Sequence, residues 1–265
     1  MAGSTRNGYV FPALAGGHDM ADIRRLYRDR VVDMLDRVIA TQAQAFDAAR
    51  DAVADTLAAD RIVYAAGSGH SHLIAEEAFF RAGGIAAAQA ILDPDLTLHI
   101  DASGSSRLER ETGHAERVLG GYDVGPGDVV FIASNSGRNA YPIEMAMGAK
   151  ARGATTIALT SLQHASNVTS RHPSGKRLFE VSDIVLDNGA DYGDASVPVG
   201  RDGLFMAPTS TLMGVFIINT VIAEAVDTLA ERGVTVDVYQ SANAQGTQTA
   251  TDDMIRRWKP RIKGL

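Results

Sequence analysis

Cysteine is absent from the 265 residues. That excludes a disulfide framework and any thiolate zinc site, and it suits a reducing cytoplasm. Positive charge is in short supply: 25 Lys and Arg face 32 Asp and Glu, a formal charge of −7. A nucleic-acid protein would show a basic face instead. No basic segment followed by an apolar run opens the chain, so no secretory signal is expected. Long hydrophobic runs are missing as well. The longest, from about Leu212 to Val226, is shorter than a membrane span and carries Asn219 and Glu224. It reads as a buried helix, and no membrane partner is expected.

Three chemical signatures are also missing. There is no Gly-x-x-x-x-Gly-Lys-Ser/Thr phosphate loop, and Gly67-x-Gly69 lacks the third glycine of the dinucleotide fingerprint because His72 stands there. Without a Gly-x-Ser-x-Gly elbow, a hydrolase triad has no anchor. A nucleotide enzyme therefore rests on little.

What is present is an ordinary globular composition, 45% hydrophobic and 22% charged, enough to bury a core unaided. Residues 1–21 read as a loose leader. From Asp22 to Ala59 apolar residues such as Ile23, Tyr27, Val31, Leu35 and Val38 recur at helical spacing, predicting two helices or one bent one. Then short apolar runs alternate with helical stretches. Ile62–Ala66, Val129–Ala133, Thr155–Thr160 and Ile184–Leu186 are the runs. Helical patterns cover Leu73–Ala82, Tyr141–Arg152 and 212–230, and 163–206 reads as a long loop region. Such alternation predicts an α/β fold with a parallel sheet covered on both faces.

In open parallel sheets the ligand site lies beyond the carboxyl ends of the strands. Three loops there share one composition: Gly67-Ser68-Gly69-His70-Ser71, Ser134-Asn135-Ser136-Gly137-Arg138-Asn139 and Thr209-Ser210-Thr211. Each precedes a helix, whose free N–H groups and dipole favour an anion. Hydroxyls add hydrogen bonds without charge. Helix capping alone explains one such residue per loop. Three similar loops point further, to a phosphate ester, with Arg138 and Arg171 as charged partners.

Proton transfer beside a sugar carbonyl needs a carboxylate or a histidine. Glu76 and Glu77 follow the first loop, and their side chains diverge by about 100° on a helix, so one of them is expected to face the ligand. His72 and Glu76, four apart, share a helix face. They make either a dyad or half of a metal site, and no metal or other cofactor is expected. His172 lies in the basic loop Ser170-Arg171-His172-Pro173-Ser174-Gly175-Lys176-Arg177 and is a candidate acid. A solvated charged turn is its plain alternative. Ser241-Ala242-Asn243 is a further stretch that could return to the site.

These loops, with Ile91-Leu92-Asp93-Pro94, Ser134 to Glu144 and Ser170 to Leu186, resemble the sugar isomerase (SIS) domain and, within it, the stand-alone UPF0309 family. The resemblance covers roughly residues 22–245. It implies a three-layer, flavodoxin-like fold with a five-stranded parallel sheet at 61–245. It further implies N-terminal helices at 22–60 and a tail or helix at 246–265. It implies a homodimer or homotetramer with shared sites, and phosphate contacts from Ser68, Ser71, Ser134 and Ser136. Asn139 stands where many such loops carry Ser or Thr. The relatives so implied include phosphosugar isomerases and N-acetylmuramic acid 6-phosphate etherase. The expected activity is C2 proton abstraction on an amino-sugar 6-phosphate, best N-acetylglucosamine 6-phosphate, with loss of water. An aldose–ketose isomerase, an etherase-like lyase and a non-catalytic phosphosugar sensor are the alternatives.

Overall fold

The computed structural model describes residues 5–6, 9–10, 20–200, 204–241 and 248–265. The leader 1–21 therefore falls largely outside the described residues, as do Ala242 and Asn243. Two short strands, β1 (Thr5–Arg6) and β2 (Tyr9–Val10), pair antiparallel.

The helical period after Asp22 becomes two helices, α1 (Met20–Thr41) and α2 (Ala43–Ala58), broken at Gln42. Gln42 does more than interrupt. Its Nε2 donates to the Asp187 carbonyl at 2.6 Å and its Oε1 accepts the Asp187 N–H at 2.8 Å.

The sheet runs β4 (Ala88–Ile91), β3 (Val63–Gly67), β5 (Val129–Ala133), β6 (Thr155–Thr160), β7 (Ile184–Asp187), all parallel. In chain order of these strands that is 2-1-3-4-5, the flavodoxin arrangement. Register aligns Gly67 with Ala133, and Ala133 with Leu159. A polar side chain occupies the end of the β7 edge, which blunts its pairing capacity there. Gln42 serves β7, and Gln89 of β4 exchanges hydrogen bonds with the Lys263 backbone.

Burial on both faces produces the near-continuous apolar strands, and alternate residues face opposite layers. Val63, Ala65, Phe131 and Leu159 pack with α2 and α9 (Ser210–Glu231). Tyr64, Ala66, Val130 and Ile132 face the second layer. That layer holds α5 (His114–Leu119), α6 (Ala140–Ala151) and the C-terminal helix α10 (Gln248–Trp258). Helix α9 is apolar enough and long enough to cross a membrane. Here Met213, Ile217, Ile218, Val221 and Leu229 are buried in the core.

Three sequence expectations need adjustment. β4 sits in an alanine-rich stretch with weak strand propensity, and none of the apolar runs marked it. The region 163–206 is not one long loop: beside the expected strand β7 it contains α7 (Leu162–Ala165), α8 (Leu178–Val181) and an antiparallel pair, β8 (Val197–Val199) and β9 (Leu204–Met206). Finally, α3 spans only His72–Ala78, because Phe79 turns extended and Phe80 adopts a positive φ of 39°.

Candidate active site

The strand order reverses between β3 and β5, and the loops after these strands flank that switch point. Gly67 closes β3 under tight constraint. A Cβ there would meet the Ser71 carbonyl oxygen at 2.3 Å. The chain then makes a 3-10 turn at Gly69–Ser71 and enters α3. After β5, Gly137 takes a φ of 56° and its N–H donates to the Ser134 hydroxyl at 3.3 Å. Asn139 precedes α6.

The two loops meet on a carboxylate that sequence reasoning missed. Glu109 follows α4 (Leu98–Leu108). Its Oε2 accepts the Ser68 hydroxyl at 2.8 Å, and its Oε1 accepts the Asn139 side-chain amide. Its backbone carbonyl accepts the Tyr141 N–H at 3.0 Å. Burial raises the Glu109 carboxyl above its ordinary value, opposed by the Ser68 bond and by Arg110 and Arg171 nearby. From the far side, Arg171 donates to the Asn139 Oδ1 at 3.0 Å. One polar chain, Ser68–Glu109–Asn139–Arg171, thus spans the switch point. In sequence Glu109 lies in Arg107-Leu108-Glu109-Arg110-Glu111, which reads as a solvated helix end.

The basic loop folds against the second phosphate-type loop. The Arg171 N–H donates to the Arg138 carbonyl at 2.7 Å, and the Leu178 N–H to the Gly137 carbonyl at 2.8 Å. Arg138 itself donates to the Thr169 carbonyl at 2.9 Å. The guanidiniums of Arg138 and Arg110 both bear on Arg171, which is pushed down first by desolvation and then by these two like charges. Among the described residues none of the three forms an ion pair. His172 accepts the Ser174 N–H on Nδ1 at 3.2 Å, so Nε2 carries the proton, and it faces Glu144 at 3.4 Å.

The remaining candidates divide. The hydroxyls of Ser71 and Ser136 form no hydrogen bond among the described residues, and His70 is exposed. Asn135 turns toward β7, where its Oδ1 accepts from Asn188 at 3.0 Å. Glu77 is engaged away from the loops, by Arg81 and by Asn219 of α9 at 2.9 Å. Glu76 is half exposed, with the His72 Nε2 3.6 Å away. No third acidic or imidazole side chain completes a metal-binding group there among the described residues.

The third loop is built differently from the other two. Asp194, with a positive φ of 50°, lays its carboxylate across the start of α9. It accepts the Thr209 and Ser210 N–H groups, each at 3.0 Å, and the Ser210 hydroxyl at 2.6 Å. Thr209 is fully buried. The anion-binding groups of Thr209 and Ser210 are therefore spent internally, while the Thr211 hydroxyl makes no hydrogen bond among the described residues. Two surface hollows, about 560 and 530 Å³, are lined by residues outside all three loops, the first along Ala40–Ala45 and the second between α3 and α9.

A family model of the SIS domain matches residues 26–161. The chain is 38% identical over 236 residues to a UPF0309 protein of Listeria monocytogenes serotype 4b, covering 89% of this chain and 96% of that protein. It is 40% identical over 225 residues to a UPF0309 protein of Halalkalibacterium halodurans, covering 85% and 93%. Among solved structures, a phosphoheptose isomerase from Neisseria gonorrhoeae superposes with a TM-score of 0.51 at 18% identity, over 79% of this chain and all of that one. One from Francisella tularensis gives 0.50 at 14% identity, over 78% and 98%. At these identities the structural likeness concerns the fold.

Proposed function

The chain belongs to the UPF0309 family of SIS-domain proteins, and from that premise we propose that it is an enzyme acting on an amino-sugar 6-phosphate, best N-acetylglucosamine 6-phosphate, by abstracting the C2 proton and expelling water. The observation that carries this reading is one partly buried carboxylate, Glu109, with the charges of Arg110 and Arg171 close by and that of Arg138 bearing on Arg171, in an acidic protein. Three guanidiniums that form no ion pair among the described residues, beside Ser/Gly loops, suit a phosphate dianion. A carboxylate held in low dielectric with a raised pKa suits a base.

In this scheme the phosphate lies between Arg138, Arg171 and the hydroxyls of Ser71, Ser134 and Ser136. Glu109 takes the C2 proton of the open-chain aldehyde, and the C–H electron pair moves to form the enolate. The enolate re-forms the carbonyl as the C3–O bond breaks, and the departing hydroxyl takes a proton from His172 and leaves as water. The product is a 2,3-unsaturated 2-acylamino aldehyde phosphate. The base is assigned to Glu109 rather than to Glu76 or Glu77, because Glu77 is engaged by Arg81 and Asn219 and Glu76 is half exposed. The enzyme is placed in the cytoplasm, as a homodimer or homotetramer.

Incubation with N-acetylglucosamine 6-phosphate in deuterated water, followed by proton NMR, tests the reading. Loss of the C2 signal with a new vinylic proton is expected. A ketose product in its place would reassign the chemistry to isomerisation. Absence of any exchange despite bound ligand would make the protein a sensor.

A further inference from the structure

At the carboxyl end of β6 the Ser161 hydroxyl accepts the His164 N–H at 3.0 Å and starts the single turn of α7. His164 is half-buried, and its ring centroid lies 4.8 Å from that of Tyr192, with the planes tilted by 43°. The Gly193 N–H points at the His164 Nδ1 from 3.4 Å. A nitrogen that accepts must hold its lone pair, so the proton resides on Nε2. Nε2 makes no hydrogen bond among the described residues. Burial lowers the imidazole's pKa from its ordinary 6.5; Asp194 works against this and Arg138 with it. The ring is thus a neutral donor beside the loop that carries Arg138.

Tyr192 sits on a segment fixed at both sides. Asp191 is locked to Arg30 of α1 in an ion pair in which both side chains are only 7% exposed. Asp194 is tied to the first turn of α9. The tyrosine ring between these anchors remains 39% exposed. Packing is not needed to hold a loop so pinned, so a rigid aromatic face and an unused neutral N–H are left next to the phosphate-type loop. Their surroundings select among ligand groups. The nearby Asp194 disfavours an anion, and Arg138 disfavours an ammonium. A neutral acceptor with an apolar end fits both constraints.

We propose that His164 and Tyr192 form a subsite for the acylamino arm of the substrate, with the His164 Nε2–H donating to the amide carbonyl and the Tyr192 ring covering the acyl methyl. This subsite rests on the amino-sugar phosphate reading given above and deepens it: the enzyme discriminates N-acylated from free amino sugars.

The test is calorimetric titration of the full chain with N-acetylglucosamine 6-phosphate, glucosamine 6-phosphate and glucose 6-phosphate. The unaltered protein should favour the N-acetyl compound by about tenfold or more, the size of one good hydrogen bond plus a covered methyl. His164→Ala and, separately, Tyr192→Ala should each erase most of that preference while leaving glucose 6-phosphate affinity unchanged. The exposed position of Tyr192 makes its variant the one that keeps the native fold if His164→Ala does not. A preference that survives in both variants, or is missing from the unaltered protein, overturns the subsite alone. Failure of all three sugar phosphates to bind overturns the phosphosugar reading and the subsite with it.

Discussion

The Ser68 hydroxyl, leaving the end of β3, donates to the Glu109 carboxylate at 2.8 Å. Removing the charge from that carboxylate should uncouple binding from chemistry. Glu109→Gln is expected to lower turnover of N-acetylglucosamine 6-phosphate by about a hundredfold or more, the usual contribution of a positioned base. Its Kd for the same ligand should move only a few-fold, as read by titration. Equal turnover in the variant would remove Glu109 from the chemistry.

The same carboxyl gives a pH signature. Burial raises it above the ordinary 4.5 in the folded chain. Between 4.5 and the raised value the folded protein keeps a proton that the unfolded chain has released. The stabilisation from this group is full below 4.5 and is lost as pH rises through the folded value. The difference in Tm between the unaltered protein and Glu109→Gln should therefore shift against the unaltered protein across that window. A difference that stays constant with pH would mean that the carboxyl titrates normally.

The Arg171 N–H donates to the Arg138 carbonyl, and the two guanidiniums bear on each other as like charges. Arg171→Met is expected to weaken sugar-phosphate binding by about tenfold, the scale of one charge-assisted hydrogen bond. The loss should shrink at high salt, where screening already weakens the unaltered site. Titrations at low and high ionic strength measure both effects. A salt-independent loss would point to a packing defect.

Asp194 caps α9 with three hydrogen bonds. Asp194→Ala should cost about 1–2 kcal/mol of stability, as for other helix caps, read by chemical denaturation. Glucose 6-phosphate affinity should be unaffected. Tighter binding in the variant would mean that the start of α9 is an anion site that Asp194 blocks.

Much of the architecture is legible in the chain. The strand-like runs Val129–Ala133 and Thr155–Thr160, and the helix beyond Ser210, are open to reading, because their buried positions are filled by long apolar stretches. β4 is not legible in this way: its Ala88-Gln89-Ala90-Ile91 owes its strand to pairing with β3. The loops at Ser68 and Ser134 stand out by composition, yet composition alone also drew in Thr209 and Ser210. The Thr209 and Ser210 N–H groups are taken by Asp194, which is close to them only after folding. Glu109 was hidden for the opposite reason. Flanked by Arg107, Arg110 and Glu111 it has the look of a solvated acid, and only folding brings it against Ser68 and Asn139.

Glu109 takes one bond from each side of the sheet's reversal, and Asn139 passes the connection on to Arg171. A ligand that draws Ser68 to itself would leave the carboxylate with one partner and alter the grip on Asn139, and so on the arginine two loops away. Arrival at one strand end would thus be transmitted laterally to another, through side chains alone and with the backbone of the sheet at rest.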